Sequence, residues 1–202
     1  MCIRDRAPRL DEVGSRVDPE YLIRFIMDPG STEPGTSMPH MLNQISPEAR
    51  RPVAEEITHF LVSLDSPPFT RETREMDHAK RGEALFHEVG CVACHAPRSS
   101  DGKEMVVSPS VSLGALQEKY SIQSLTRFLE DPLQVRPDGR MPNMKLDHFE
   151  AEDLAHYLAG SPDLITSTDF VVDMSKAAKG RSHFQELGCS NCHSTVGVPP
   201  LD

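Results

Sequence analysis

The sequence is poor in aromatic and apolar residues. Its 202 residues include no tryptophan and three tyrosines, and aromatic residues make up 5% of the total. Hydrophobic residues reach 38%, below the usual share of globular proteins, which leaves little material for a large self-sufficient core. No apolar run reaches the length of about 18 residues that a membrane-spanning helix needs, so no transmembrane segment is expected in this sequence.

Positive charge is also scarce. Lysine and arginine total 21 against 31 aspartates and glutamates, which gives a formal net charge of -10. Proteins that bind nucleic acid normally carry a basic face, so this balance argues against a nucleic-acid partner. An acidic surface instead favours a protein partner with a basic docking face, held by salt-sensitive contacts.

Two internal matches indicate a repeated unit. At an offset of 103 residues, residues 21–42 align without a gap with residues 124–145, and nine of the 22 positions are identical. At an offset of 98, residues 79–95 align with residues 177–193, with eight identities in 17 positions. Neither match is low in complexity, so both indicate duplication of one structural unit of about a hundred residues.

The matches divide the chain into one complete and two partial copies of the unit. Residues 74–161 hold both halves of the repeat, residues 7–65 only its second half, and residues 172–202 only its first half. Residues 1–6, MCIRDR, resemble a translated sequencing or adapter scar, in which case Cys2 is foreign to the protein. The alternative is a genuine short, charged N-terminus. We therefore expect tandem domains, one complete and two partial.

Helical periodicity predicts an all-α fold. Apolar residues recur at helical spacing over residues 46–64, 78–88, 121–130 and 147–158. Gly90 is a predicted C-cap. Gly82, Phe86 and Tyr157 are expected to let the first and last helices of the central copy cross closely. No stretch shows sustained period-two alternation, so no sheet is predicted.

The chemistry lies in two copies of Cys-x-x-Cys-His, at residues 91–95 and 189–193. Two cysteines three residues apart on one turn can reach the two vinyl groups of a porphyrin as thioethers. The following histidine can then place its imidazole under the iron. The spacing is that of the c-type haem attachment motif, with Cys91, Cys94, Cys189 and Cys192 as attachment residues and His95 and His193 as axial ligands.

A methionine is the predicted second axial ligand. Met141, followed by Pro142, lies 46 residues after His95, and a Met-Pro loop cannot continue a helix and can lean against a haem face. Met38-Pro39 repeats this arrangement. Alternatives for the ligand on the complete copy are Met144, which recurs as Met41, and a histidine such as His148.

Other interpretations of Cys-x-x-Cys remain open at this level. A zinc site would need two further ligands near each pair, and no third or fourth cysteine lies nearby. A thioredoxin-like redox pair would need a βαβ setting, which the pattern does not show. A disulfide between the two cysteines would leave the following histidine unexplained.

Weaker signals surround the motifs. A backbone carbonyl near Pro109, and its counterpart near Pro200, could accept a hydrogen bond from Nδ1–H of the axial histidine. Arg136 and Arg140 could pair with haem propionates.

Residues 76–160 resemble a class I cytochrome c domain. They contain, in order, a helix with Gly82 and Phe86, the Cys-x-x-Cys-His motif, a Pro-Leu loop, a helix, Met-Pro and a last helix with Tyr157. The run 125–132, with Arg136-Pro137 and Arg140-Met141-Pro142, is similar to multi-domain haem proteins of planctomycete-type bacteria.

This resemblance implies covalent haem c on Cys91 and Cys94, with His95 and Met141 as its axial pair. It implies a second haem at residues 189–193 whose methionine lies beyond Asp202, and a third, ligated by Met38, whose attachment residues precede Met1.

The function implied is electron transfer in a tandem multihaem cytochrome of the periplasm, or otherwise extracytoplasmic. Such a carrier has redox protein partners and no catalytic activity of its own. Two alternatives stay open: the cytochrome region of a larger oxidoreductase, such as a quinoprotein-type dehydrogenase, and a dihaem peroxidase.

Overall fold

A computed structural model describes residues 7–33, 35–64, 68–99, 104–105, 110–114, 116–136, 139–160, 170–195 and 197–198. The helices of these residues are α1 (Val13–Arg16), α2 (Pro19–Met27), α3 (Pro29–Thr32), α4 (Pro47–Ser63), α5 (Met76–Glu88), α6 (Leu116–Lys119), α7 (Ile122–Glu130), α8 (Pro132–Val135), α9 (His148–Leu158) and α10 (Met174–Glu186). Single 3₁₀ turns lie at Cys91–Ala93 and Cys189–Asn191. The described ranges hold no strand, only two isolated bridges, so the predicted all-α class is confirmed.

The chain folds as two compact units. The central unit comprises the described residues of Thr70–Val135 and Gly139–Ser167. The terminal unit comprises those of Met1–Phe69, Arg136–Asp138 and Thr168–Asp202. None of the helices described is long and apolar enough to cross a membrane.

The central unit is organised by the crossing of α5 and α9. A Cβ at Gly82 would lie 2.0 Å from the carbonyl oxygen of Asp153, so only glycine permits this approach. The rings of Phe86 and Tyr157 pack beside it with centroids 5.4 Å apart. The predicted close crossing through Gly82, Phe86 and Tyr157 is therefore confirmed.

Capping residues determine where the other helices of this unit begin. Ser121 and Ser124 form a reciprocal capping box at the start of α7, and Asp147 and Glu150 form one at the start of α9. Gly90 has a φ of 93°, and follows α5 in the left-handed conformation that its predicted capping role requires. The buried core of the unit combines α5, α7 and α9. Its members are Phe86, Ile122, Leu125, Leu129, Ala151, Leu154, Ala155, Tyr157 and Leu158.

The terminal unit is organised by the crossing of α4 and α10. A Cβ at Gly180 would lie 1.8 Å from the carbonyl oxygen of Glu56, so the helix backbones touch here as well. Phe60 and Phe184 pack next to this contact with ring centroids 5.5 Å apart. Both phenylalanines are almost fully buried.

The pairing of α4 with α10 differs from the sequence prediction. Residues 7–65 and 172–202 are predicted to be parts of two separate domains, each completed by residues outside the sequence. In the structure they lie in one unit. The physical reason is that each segment carries the half-core that the other lacks, and Gly180 admits α4 as closely as Gly82 admits α9.

Replacing Gly82 or Gly180 with alanine should destabilise the corresponding unit. The added methyl group overlaps a backbone carbonyl, and such overpacking costs about 1–3 kcal/mol. Guanidinium unfolding of the haem-loaded chain, followed by circular dichroism, measures the loss. Gly30→Ala is the matched control, because its Cβ would meet nothing closer than 3.8 Å. Equal stability of all three variants would contradict the close crossings.

Candidate functional site

The first Cys-x-x-Cys-His motif follows α5 on a single 3₁₀ turn. Gly90 breaks the helix, and the His95 amide then donates to the Cys91 carbonyl over 2.9 Å, which closes the turn. Both thiols are free; Cys91 is half-buried and Cys94 is exposed. Burial raises the pKa of the Cys91 thiol, so this sulfur remains protonated near neutral pH.

The imidazole of His95 is held through one nitrogen. Its Nδ1 lies 2.9 Å from the carbonyl oxygen of Val111, which can only accept, so Nδ1 carries the proton. In the neutral ring Nε2 then keeps its lone pair, the form that a metal requires. The Val111 amide in turn donates to the Cys94 carbonyl over 2.7 Å, which ties the acceptor loop back to the motif.

The sequence predicts the acceptor for His95 near Pro109. Pro109 itself lies outside the described residues, and the carbonyl that accepts from Nδ1 belongs to Val111, two residues further on. A proline offers a carbonyl but no amide, whereas Val111 uses its amide on Cys94 and its carbonyl on His95.

Met141 lies at the edge of the same core as Cys91. Both side chains are half-buried and pack against the buried cluster of α5, α7 and α9. Met144 is also half-buried in this loop. His148 is exposed instead, and its Nδ1 lies 2.7 Å from a carboxylate oxygen of Glu130, whose hydrogen bond raises the pKa of His148. Met141 therefore packs against the core that Cys91 also contacts, whereas His148 is exposed and hydrogen-bonded to Glu130.

Sequence reasoning missed the residue that anchors the loop between His95 and Val111. Arg98 is only 3% exposed; its amide donates to the Tyr157 hydroxyl over 2.9 Å, and its guanidinium donates to the Gly114 carbonyl over 2.7 Å. Glu104 accepts from the Leu113 amide and from the Ser112 hydroxyl. These contacts hold both ends of the loop that presents the Val111 carbonyl to His95.

Arg136 and Arg140 are both exposed. Their predicted pairing with haem propionates stays a prediction.

The second motif repeats the geometry of the first. Cys189–Asn191 form the 3₁₀ turn after Gly188, and the His193 amide donates to the Cys189 carbonyl over 2.9 Å. Burial raises the pKa of Cys189 to about 11. His193 Nδ1 lies 3.0 Å from the carbonyl oxygen of Pro8. This acceptor was predicted near Pro200, which lies outside the described residues; the structure supplies it from the opposite end of the chain.

Met38 is half-buried in the loop between α3 and α4 of the terminal unit. The corresponding loop of the central unit, between α8 and α9, carries Met141.

The donor set of the central unit fits haem c. It offers two free thiols on one turn, an imidazole whose Nε2 is available, and a thioether at the edge of an apolar core. A zinc centre would need four nitrogen, sulfur or oxygen ligands together. Among the residues that the structure describes, no group of three histidine, cysteine or acidic side chains is placed to hold a metal ion.

One comparison with known protein families matches the central part of the chain. Residues 79–161 match the family described as Cytochrome c. Over 100 residues, the chain is 29% identical to cytochrome c oxidase subunit 2 of Bacillus subtilis strain 168. That similarity covers 45% of this chain and 28% of the subunit, so the chain spans well under half the length of this relative. No solved structure matches the chain.

Replacing Tyr157 with phenylalanine should loosen the loop around His95. The hydroxyl accepts from the Arg98 amide and donates to the Arg98 carbonyl over 3.3 Å, and removing a partner from a buried amide costs about 1–3 kcal/mol. Chemical unfolding of the haem-loaded chain gives the change in free energy. Tyr120→Phe, at a half-buried tyrosine of the same unit, is the control. A Tyr157→Phe protein as stable as that control would contradict this role.

Proposed function

Residues 79–161 form a c-type cytochrome domain, and on this basis we propose that the central unit transfers single electrons through one haem c. Cys91 and Cys94 attach the haem, and His95 and Met141 ligate its iron. Haem c supplies a one-electron exchange between Fe(II) and Fe(III). The chain has to attach the group, set its potential and limit the access of water.

The observation that carries this proposal is the state of His95. Donation from Nδ1 to the Val111 carbonyl over 2.9 Å selects the tautomer whose Nε2 can bind iron. The same bond makes the imidazole a stronger donor and fixes its orientation. Arg98 and Tyr157 support this geometry by holding the loop between His95 and Val111.

The axial thioether sets the potential in this proposal. A methionine opposite the histidine raises the reduction potential relative to a second histidine. Met141 comes from a loop that the capping box at Asp147 and Glu150 ends at a defined point, the start of α9. Only residues 142–147 therefore separate Met141 from the start of α9.

The proposal has three further parts. The protein carries several haems, lies outside the cytoplasm, and binds a redox partner through a basic docking face on that partner. The net charge of -10 supports a partner with a basic surface, because complementary charges accelerate the encounter of two proteins. Salt would screen this attraction and slow their association. An extracytoplasmic location is supported by the proposed cofactor, because bacteria attach haem c to proteins outside the cytoplasm.

A second candidate is a cytochrome region attached to a larger oxidoreductase. The similarity to cytochrome c oxidase subunit 2 favours it, because that subunit is longer than the matched part of this chain. In this case the central unit would pass electrons to a catalytic centre carried by other residues or subunits.

Changing both Cys91 and Cys94 to serine should abolish covalent haem in the central unit, because a hydroxyl does not form the thioether. The chain is produced with a bacterial haem c maturation system, digested with protease and analysed by mass spectrometry. The wild-type peptide containing residues 91–95 should carry one haem, and the double variant none. An unmodified wild-type peptide would refute the proposed function.

Changing Met141 to alanine should remove the methionine–iron charge-transfer band of the central haem and lower its reduction potential. Met144→Ala is the matched control in the same half-buried loop and should retain both. Spectra are recorded in the Cys189→Ser, Cys192→Ser background, so that only the central haem contributes. A band that survives in Met141→Ala would assign the ligand elsewhere. High-spin iron with peroxide turnover in the unmodified loop would favour a peroxidase instead.

A further inference from the structure

The terminal unit reproduces the helix crossing of the central unit from two segments at opposite ends of the chain. The offset of 98 residues carries Gly82 of α5 to Gly180 of α10. A Cβ added at Gly82 or Gly180 would lie 2.0 Å or 1.8 Å, respectively, from a backbone carbonyl oxygen of the crossing helix. Four residues after each glycine, a phenylalanine packs on an aromatic ring of the crossing helix. The ring centroids are 5.4 Å apart with an interplanar angle of 57° in the central unit, and 5.5 Å apart at 58° in the terminal unit.

Two polar contacts recur at matching positions on the same helix pairs. The first contact is an ion pair between a basic residue of the glycine-bearing helix and the acidic residue whose backbone carbonyl contacts that glycine. The second is a hydrogen bond from a backbone amide to an imidazole Nδ1. The ion pair is Arg81–Asp153 at 2.7 Å in the central unit and Lys179–Glu56 at 3.5 Å in the terminal unit. The amide–imidazole bond is Glu75–His156 at 2.9 Å in the central unit and Asp173–His59 at 3.1 Å in the terminal unit. The two crossings therefore share their register as well as their close contact.

The axial histidines make the same bond in both units. The offset of 98 carries His95 to His193. The offset of 103 also carries α1 to α6, and continued to Pro8 it reaches Val111. His95 donates to the Val111 carbonyl over 2.9 Å, and His193 donates to the Pro8 carbonyl over 3.0 Å. The contact is thus the one that the two repeats predict, although its partners are 185 residues apart in the chain. The Leu10 amide adds a bond to the Ser194 carbonyl over 3.3 Å.

The Met38 loop and the end of α10, which leads into the Cys189 turn, contribute to one core cluster. Leu42, four residues after Met38, is buried in a cluster with Ile23 and Ala54. Leu187, two residues before Cys189, packs against this cluster. The segment that leads into the second motif and the Met38 loop therefore share one apolar cluster.

We propose that the terminal unit is a second haem c domain with permuted chain order. Cys189 and Cys192 attach its haem, His193 binds the iron from one side, and Met38 binds it from the other. The proposal replaces two incomplete sites, each lacking half its ligands, with one complete site. It rests on the proposed function, since it assigns to the terminal unit the same group that the central unit carries.

The chemistry of the residues fits this assignment. Each thiol adds across one vinyl double bond, the sulfur bonding to one carbon and the thiol hydrogen to the other, so no electron is lost and nothing is released. Both thiols are free, and the His193 bond to Pro8 leaves Nε2 as the lone-pair nitrogen. Met38 is half-buried.

The test isolates the second site. The full chain with Cys91→Ser and Cys94→Ser is produced with a bacterial haem c maturation system, and its haem content, spectrum and potential are measured. We expect one haem on the peptide containing residues 189–193, low-spin iron and a methionine–iron charge-transfer band. Met38→Ala should remove the band and lower the potential. Met38→His should also lose the band but keep the iron low-spin, because the histidine supplies a replacement ligand. This variant shows that loss of the band in Met38→Ala does not result from unfolding.

Two neighbours serve as matched controls. Met41 lies in the same loop, and His40 has an Nε2 that is buried and has no hydrogen-bond partner among the described residues. Met41→Ala and His40→Ala should both keep the band. If either removes it while Met38→Ala retains it, Met38 is not the ligand and the proposal is wrong.

The remaining outcomes separate this inference from the proposed function. A wild-type chain with haem at residues 91–95 and none at residues 189–193 would overturn the inference and leave the central site intact. No haem at either motif would overturn both. The double variant should also be monomeric by light scattering at low concentration. A dimer that retains the band would show that two copies exchange segments, and would overturn the assignment of the site to one chain.

Discussion

Each unit depends on the contact between a glycine of the helix that precedes the Cys-x-x-Cys-His turn and a backbone carbonyl of the helix that crosses it. At Gly82 and Gly180 the hydrogen in place of a side chain brings two helix backbones into direct contact. The Cys-x-x-Cys-His turn begins nine residues after each glycine, so its position relative to the last helix follows from the crossing. Phe86 and Phe184 fill the space beside the contact, since both are 1% exposed.

Much of the central unit could be predicted from the sequence, because its signals are local. The helices over 78–88, 121–130 and 147–158 agree with α5, α7 and α9 to within two residues at each end. Periodicity and capping residues such as Ser121 and Asp147 determine those bounds. The predicted c-type cytochrome resemblance is confirmed for residues 79–161, while the planctomycete-type similarity stays a prediction.

The parts that escaped prediction are those that involve the backbone or distant residues. The acceptor for His95 is the Val111 carbonyl, and a carbonyl is present at every position, so no residue type marks it. The burial of Arg98 depends on Tyr157, 59 residues later, and on the Gly114 carbonyl. The association of residues 7–64 with residues 170–198 has no local signal either. Repeats show which segments are equivalent, but equivalence alone does not determine which copy of one half packs against which copy of the other.

The bond between His193 and Pro8 has a consequence for the order in which the chain can fold. Its partners are 185 residues apart, whereas the corresponding bond of the central unit, from His95 to Val111, spans 16. Loop closure costs more entropy over the longer separation, and a ribosome delivers residues 170–198 after the residues of the central unit. The central unit can therefore reach its native contacts while α4 still lacks its partner helix. Until α10 emerges, the apolar face of α4 around Phe60 is uncovered. The terminal unit can therefore complete its contacts only after the central unit has been synthesised, although residues 7–64 precede that unit in the chain.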